Sequence, residues 1–210
     1  MGTLATTVYI VDDNPSVTDA LLMLLMAENI EAKAFFSAVD FMAVCDHTMR
    51  GCVLLDINMP HMSGMELQQW MVDNGIDIPI IFLTGSGDIP LSSQAFRKGA
   101  LDFIEKPFDS DKLLERIQEA LARDCEQWHR RVRLKLVKDR YERLTPREKE
   151  VLKWVSSGYS SKEIAKAIGI SNRTIELHRA HMMEKLEVES LAKLVSIALE
   201  IDAAMGVVQP

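Results

Sequence analysis

Five polar residues of this sequence each stand where a short apolar run ends. Asp12 and Asp13 follow the first run, Asp56 and Thr84 close two others, and Lys106 follows the last. Three carboxylates brought together repel one another, and a hard divalent cation such as Mg²⁺ relieves that repulsion. Beside such a cation and a lysine, a carboxylate can attack a phosphoryl group whose oxygens both cations stabilise. The residue types therefore predict Asp56 as a phosphoacceptor, with Mg²⁺, Lys106 and the Thr84 hydroxyl around the phosphoryl group.

This chemistry requires that the apolar runs lie side by side in one sheet. Residues 7–106 alternate such runs with helical patterns, which is typical of a parallel sheet covered on both faces. Five units in about 120 residues favour an α/β flavodoxin-like, doubly wound, five-stranded sheet. Ligands of such sheets bind beyond the carboxyl ends of the strands, so the five polar residues should meet on one rim. The expected strands are Val8–Val11, Ala32–Phe36, Val53–Leu55, Ile80–Leu83 and Phe103–Ile104, and the expected helices are Ser16–Glu28, Ala38–Cys45, Gly64–Asn74 and Leu91–Lys98.

A different pattern begins at Asp109. Ser110 and Asp111 can cap a helix, and apolar residues then recur every three or four positions. We predict one long helix that closes the first domain and continues as a linker. Its stripe is either the buried side of a solvated spacer or also a contact for a partner helix. The stripe comprises Leu113, Ile117, Leu121, Cys125, Trp128, Val132 and Leu136.

A second domain is predicted from Leu144 onwards. Thr145, Pro146 and Glu148 form a capping box with proline at the first helical position. Four short helices follow, with a glycine-containing three-residue turn before the third, which is typical of a small all-α helix-turn-helix domain. Their expected bounds are Pro146–Ser157, Ser161–Ile168, Asn172–Leu186 and Ser190–Met205.

Composition and charge narrow the possible functions. The chain has 210 residues, 48% of them hydrophobic, and its three cysteines form no CxxC pair, so we expect neither a disulfide framework nor a zinc site. We expect no signal peptide and no membrane span, and therefore a cytoplasmic protein. Net charge is −9 over residues 1–108, +2 over 109–144 and zero over 145–210. The acidic first segment suits a cation site, whereas a neutral second domain would bind DNA through locally placed charges, which favours a dimer.

The motifs of the first domain resemble a receiver domain over about residues 7–120. They are VDD at 11–13, LLDINMP at 54–60, LTG at 83–85 and FIEKPF at 103–108, while MSGMEL at 62–67 and GDIP at 87–90 are similar to the NarL/FixJ family. The resemblance implies that Asp56 is the phosphoacceptor, Asp13 a direct metal ligand and Asp12 a ligand acting partly through water. It further implies a metal-binding carbonyl at Asn58, a switch pair of Thr84 and Phe103, a phosphate-binding Lys106 and a cis bond before Pro107. Asn14 departs from the family, which often has a third acid there.

Residues 144–186 resemble the LuxR-type helix-turn-helix, with a match that extends to about Leu199. The resemblance implies that the helix beginning near Asn172 enters the major groove. A helical wheel places Ile175, Met182 and Leu186 on a face that would pack on Val151, Ile164 and Ile168. The residues expected to read bases are Glu176, Leu177 and Ala180, and those expected at phosphates are Asn172, Arg173, Thr174, Arg179 and Lys185.

Together these observations predict a two-component response regulator and not a turnover enzyme. The expected domains are a receiver at 1–121, a helical linker at 122–143 and a DNA-binding domain at 144–210. The expected partners are a sensor histidine kinase, promoter DNA, a second copy after phosphorylation and RNA polymerase, but no membrane. Two other classes remain open, which are a phosphatase acting on another substrate and an adaptor whose second domain binds protein. A flavin site is disfavoured because an acidic rim repels a phosphate in the absence of a metal.

Overall fold

The computed structural model of the chain describes residues 6–85 and 101–206. It divides the chain into two compact units, residues 1–127 and 128–210, and each is described by itself. The expected helix Leu91–Lys98 lies outside the described residues. Within them, no helix is both long enough and apolar enough to cross a membrane.

The described residues of the first unit contain five strands, all paired in parallel. They are β1 (Thr7–Val11), β2 (Ala32–Phe35), β3 (Gly51–Asp56), β4 (Ile80–Thr84) and β5 (Asp102–Glu105). Their order in the sheet is β2-β1-β3-β4-β5. The described helices that connect them are α1 (Pro15–Ala27), α2 (Ala38–Met42) and α3 (Gly64–Asp73). This architecture confirms the flavodoxin-like fold, although α2 ends three residues earlier than expected.

Neighbouring side chains of a strand point to opposite sides of the sheet, and in the central strands each side is covered by its own hydrophobic cluster. On β3, Val53 and Leu55 join a cluster with Phe41 of α2 and Leu67 of α3. Leu54 joins the other cluster, to which α1 contributes. Strands β1, β3 and β4 are buried along their whole length, which explains their nearly continuous apolar sequences.

A single helix, α4 (Ser110–Glu142), begins in the first unit and ends in the second. Its predicted apolar stripe is correct for Leu113 and Ile117, which are fully buried. Further along, Leu121 and Trp128 are half-buried and Cys125, Val132 and Leu136 are exposed, so this part of the stripe is largely unburied, and its contact with a partner helix stays a prediction. The residues of this part that are buried are Asp124, Val137 and Tyr141. Asp124 is buried because it pairs with Arg50, 74 positions earlier, and helical periodicity gives no sign of such a pair.

Four further helices build the second unit around one hydrophobic cluster. They are α5 (Pro146–Ser156), α6 (Ser161–Ile168), α7 (Asn172–Lys185) and α8 (Leu191–Met205), each within one residue of its expected bounds. Thr145, Ser160, Ser171 and Ser190 cap them, each by accepting a hydrogen bond from a backbone N–H of the first turn. Gly169 ends α6 in the left-handed conformation, with φ of 71°, which allows α7 to begin three residues later.

Candidate phosphoacceptor site and nucleic-acid interface

An acidic rim lies at the carboxyl ends of β1 and β3. Carboxylate oxygens of Asp12, Asp13 and Asp56 all lie within 4.8 Å of one another. Lys106, directly after β5, donates from Nζ to Asp12 Oδ2 and to Asp56 Oδ1, at 2.6 Å in both cases. The structure therefore brings together four of the five polar residues that the sequence placed at strand ends.

Thr84, the fifth residue, is buried at the end of β4. Its neighbour Leu83 is in register with Asp56, so Thr84 lies at the same edge of the sheet. The Thr84 carbonyl accepts from the backbone N–H of Lys106 at 2.7 Å, which fixes the start of the Lys106 segment beside β4. The bond between Lys106 and Pro107 is cis, as the family resemblance implied.

The pKa values of both Asp56 and Lys106 are raised, but for different physical reasons. Burial raises the pKa of Asp56 above its ordinary value, and hydrogen bonding from Lys106 lowers it only in part. Burial lowers the pKa of Lys106, but its hydrogen bonds to Asp12 and Asp56 outweigh that effect and raise it. Lys106 thus stays charged at neutral pH, and a further cation at the rim would favour the ionised Asp56 that a nucleophile requires.

The remaining predicted residues of the first unit occupy the loops and the sheet edge around this rim. Asn58 is exposed in the loop after β3. Phe103 on β5 is half-buried and stacks on Phe82, with ring centroids 5.1 Å apart. The Asn14 side chain caps α1 by accepting from the N–H of Ser16 at 3.0 Å. This capping role explains why an amide suits the position where the family often has an acid.

Sequence reasoning missed one residue of the site, Gly64. It begins α3, and its N–H donates to the Ile57 carbonyl at 3.0 Å. A Cβ at position 64 would lie 2.2 Å from the backbone oxygen of Asp56, too close for any side chain. Gly64 therefore lets α3 approach the backbone of the candidate phosphoacceptor. The motif MSGMEL contains the signal, but only the fold shows which backbone the glycine approaches.

Helix α7 of the second unit shows the two faces expected from the helical wheel. Ile175, Met182 and Leu186 are fully buried in the cluster that also contains Val151 and Ile164, with Ile168 packed against it. Most of the predicted DNA contacts are exposed: Asn172, Arg173, Glu176, Leu177 and Ala180. Thr174 is half-buried, and its hydroxyl shares a hydrogen bond with Ser171 Oγ.

Two of the predicted phosphate contacts are engaged inside the domain. Arg179 donates to the hydroxyl of Ser161, the first residue of α6. Lys185 donates to both carboxylate oxygens of Glu148, at 3.0 and 2.7 Å. The Glu148 side chain is only 3% exposed, and it also accepts from the N–H of Thr145 at 2.7 Å. Burial raises the pKa of Glu148, but the hydrogen bonds from Lys185 and Thr145 outweigh it and lower the pKa.

A doubly wound sheet with an acidic rim and a capped helix-turn-helix define a class of regulatory proteins, and comparison with known proteins gives the family. Residues 8–118 match the model of the response regulator receiver domain. Residues 142–198 match the model of bacterial regulatory proteins of the luxR family. The chain therefore belongs to the two-component response regulators of the NarL/FixJ type, which regulate transcription and are not turnover enzymes.

Relatives with both domains support this assignment. The chain is 38% identical to the response regulator protein TodT of Pseudomonas putida, over 94% of this chain and 87% of the relative. It is 36% identical to the transcriptional regulatory protein FixJ of Azorhizobium caulinodans, over 91% of both chains. Among solved structures, the response regulator StyR is similar at 37% identity, with a TM-score of 0.85 over 93% of this chain and 99% of StyR. Full-length FixJ from B. japonicum is similar at 34% identity, with a TM-score of 0.59 over 96% of this chain and 99% of FixJ.

Proposed function

We propose that a sensor histidine kinase phosphorylates Asp56, and that phosphorylation controls dimerisation and the binding of promoter DNA. The observation that carries this proposal is the position of Lys106 Nζ, 2.6 Å from both Asp12 and Asp56, whose carboxylates cluster with that of the exposed Asp13. An ammonium group held between carboxylates at the end of a buried strand suits the binding of a phosphoryl group. The protein would act in the cytoplasm, where promoters and kinase domains are both accessible.

The residues of the rim fit a magnesium ion. When ionised, three carboxylates and one ammonium leave about two negative charges, which a divalent cation neutralises. Asp12 Oδ1 accepts from the N–H of Asn14 and Oδ2 accepts from Lys106, so Asp12 would act mainly through water. Asp13 and Asp56 would hold the ion directly, together with the Asn58 carbonyl. When bound, Mg²⁺ supplies charge stabilisation for the phosphoryl oxygens.

In the proposed reaction an Asp56 carboxylate oxygen attacks phosphorus, and the bond from phosphorus to the donor histidine breaks. Lys106 neutralises charge on the phosphoryl oxygens, and the Thr84 hydroxyl donates to one of them. Thr84 would turn towards the phosphoryl group, and Phe103, half-buried against Phe82, would follow into the space vacated. The surface at residues 89–98 that this change would remodel lies outside the described residues.

DNA binding would use the exposed face of α7. The exposed Glu176, Leu177 and Ala180 would read bases, and the exposed Asn172 and Arg173 at the start of the helix would contact phosphates. Thr174 would assist there, and Arg179 and Lys185 would contribute positive charge while holding the domain together. A contact with RNA polymerase and a role of α4 in the dimer are further expectations.

We propose the domain bounds 1–121 for the receiver, 122–143 for the linker and 144–210 for the DNA-binding domain. The two family matches, at residues 8–118 and 142–198, support this division. The structural units meet at residues 127 and 128, within the proposed linker.

Phosphorylation is tested by incubating the full chain with acetyl phosphate and Mg²⁺ and separating the products on a phosphate-affinity gel. We expect one phosphorylated species, lost in Asp56→Asn and when EDTA replaces Mg²⁺. The control is Asp73→Asn, an exposed aspartate at the far end of α3, which should be labelled like wild type. Labelling that persists in Asp56→Asn refutes the acceptor assignment. Sedimentation of the labelled protein tests the dimer, which is refuted if the protein stays monomeric.

DNA binding is tested by titrating promoter fragments at several salt concentrations. Arg173→Ala should weaken binding and reduce the slope of log affinity against log salt by about one for each phosphate that the variant no longer neutralises. The control is Lys138→Ala, which removes an exposed positive charge from α4. If Arg173→Ala leaves the affinity and the slope unchanged, α7 does not bind DNA in the proposed way.

A further inference from the structure

One ion pair ties α4 to the strand that carries Asp56. Arg50 directly precedes β3, and its Nε donates to Asp124 Oδ2 on α4 at 2.8 Å. The two side chains are only 10% and 3% exposed. Since Asp56 ends β3, the pair lies at the opposite end of that strand from the phosphoacceptor.

Asp124 is also the last buried residue of α4 within the first unit. Leu113, Ile117 and Ala120 are fully buried in that core. From Leu121 to Leu136, all of them described residues, Asp124 is the only one that is buried. Val137 and Tyr141 then enter the core of the second unit.

A buried ion pair is a poor means of stabilising a fold, because desolvation of both charges offsets their attraction. Apolar residues of similar size at the same positions are often as stabilising or more so. The ion pair differs from them in geometry, because the guanidinium and the carboxylate must meet at a fixed distance and orientation. It therefore fixes the position of α4 relative to β3, whereas an apolar contact tolerates sliding.

We propose that Asp124 and Arg50 are positioning residues for the response. Their ion pair fixes α4 to β3 at the point where the helix leaves the receiver core, so that a change at Asp56 alters the helix that continues into the DNA-binding domain. This inference rests on the proposed function. It concerns how the signal passes from the receiver into α4. Asp124 itself takes no part in phosphoryl transfer at Asp56.

Hydrogen exchange of the unphosphorylated full chain tests whether the ion pair of Arg50 and Asp124 holds α4 against β3. This test does not depend on phosphorylation. Asp124→Asn leaves Arg50 without the negative charge of its partner, and we expect amides of residues 121–128 to exchange at least about tenfold faster. The control is Glu126→Gln, an exposed acid on the same helix, which should exchange like wild type. Unchanged exchange in Asp124→Asn would show that the ion pair does not hold α4 in place, and it would overturn the proposal.

A double variant separates positioning from stability. Arg50→Met with Asp124→Leu should restore the melting temperature of the receiver and keep labelling by acetyl phosphate at the wild-type rate. We expect the ratio of DNA affinities with and without phosphorylation to fall by at least about fivefold. If the double variant has wild-type stability and the wild-type ratio of DNA affinities with and without phosphorylation, the ion pair is merely structural and the proposal is overturned. If phosphorylation does not change the DNA affinity of wild type, the proposed function fails. The exchange experiment still decides whether the ion pair holds α4 against β3.

Discussion

Glu148 joins two parts of the DNA-binding domain, and its replacement by glutamine gives a measurable loss. The carboxylate closes the capping box of α5 and accepts from Lys185 at the end of α7. Glutamine preserves the shape and one acceptor but removes the charge. A hydrogen bond to a charged partner contributes about 1.5–3 kcal/mol, against about 0.5–1.5 for a neutral one. Three bonds to the carboxylate are affected, two from Lys185 and one from Thr145, but Lys185 is one-third exposed and solvent reduces their sum, so we expect a total loss of about 1–2 kcal/mol.

The loss should depend on pH in a defined direction. Hydrogen bonds from Lys185 and Thr145 outweigh burial and hold the pKa of Glu148 below its ordinary value of 4.5. The carboxylate therefore stabilises the folded domain fully above pH 4.5, and this contribution disappears as the pH falls from 4.5 through the lower folded pKa. The difference between wild type and Glu148→Gln should be present above pH 4.5 and disappear in more acidic solution.

Hydrogen exchange of the full chain, corrected for the intrinsic effect of pH, measures this difference in α5 and α7. A loss of about 1–2 kcal/mol corresponds to exchange about 5–30 times faster. Glu163→Gln is the matched control, since Glu163 closes the same kind of capping box at Ser160 but is exposed. Equal effects of the two substitutions, or an effect of Glu148→Gln that does not shrink in acid, would refute the reasoning.

Two further predictions concern packing, and a third concerns contact with bases. Gly64→Ala places a Cβ 2.2 Å from the Asp56 carbonyl oxygen, so the receiver should melt at a lower temperature and label more slowly with acetyl phosphate; unchanged values would contradict the assigned close approach. Ile175→Ala opens a cavity in the core of the second unit and should cost about 2–5 kcal/mol of unfolding free energy in urea. Leu177→Ala, at a residue that is 54% exposed, should leave that free energy unchanged. It should instead change the affinity for DNA sites in which individual thymines are replaced by other bases, since an apolar side chain can contact the thymine methyl group.

Local patterns were sufficient for most of the fold. The continuous apolar strands and the capping sequence at Thr145 are local signals, and the structure confirms the elements they predicted. The rim was predictable because all strands of a parallel sheet end at the same edge. Residues that follow the strands, such as Asp12, Asp56 and Lys106, therefore meet there.

What the sequence did not predict depends on contacts between distant residues. Periodicity placed Cys125 in the apolar stripe of α4, whereas the buried residue there is Asp124, whose charge Arg50 compensates. Lys185 was assigned to phosphates from its flank position on a helical wheel, and the fold adds its bond to Glu148, which the wheel did not show. Both contacts involve charged residues, whose burial depends on a partner that no local pattern specifies.

The capping role of Asn14 has a consequence for how this family can vary. Asparagine and aspartate are equally good at the N-terminus of a helix, so either one can begin α1. An exchange between them changes the charge next to Asp12 without disturbing the first turn. If the rim holds Mg²⁺ as proposed, selection can adjust the affinity for that ion at this position independently of folding, and a single nucleotide substitution in the codon is enough.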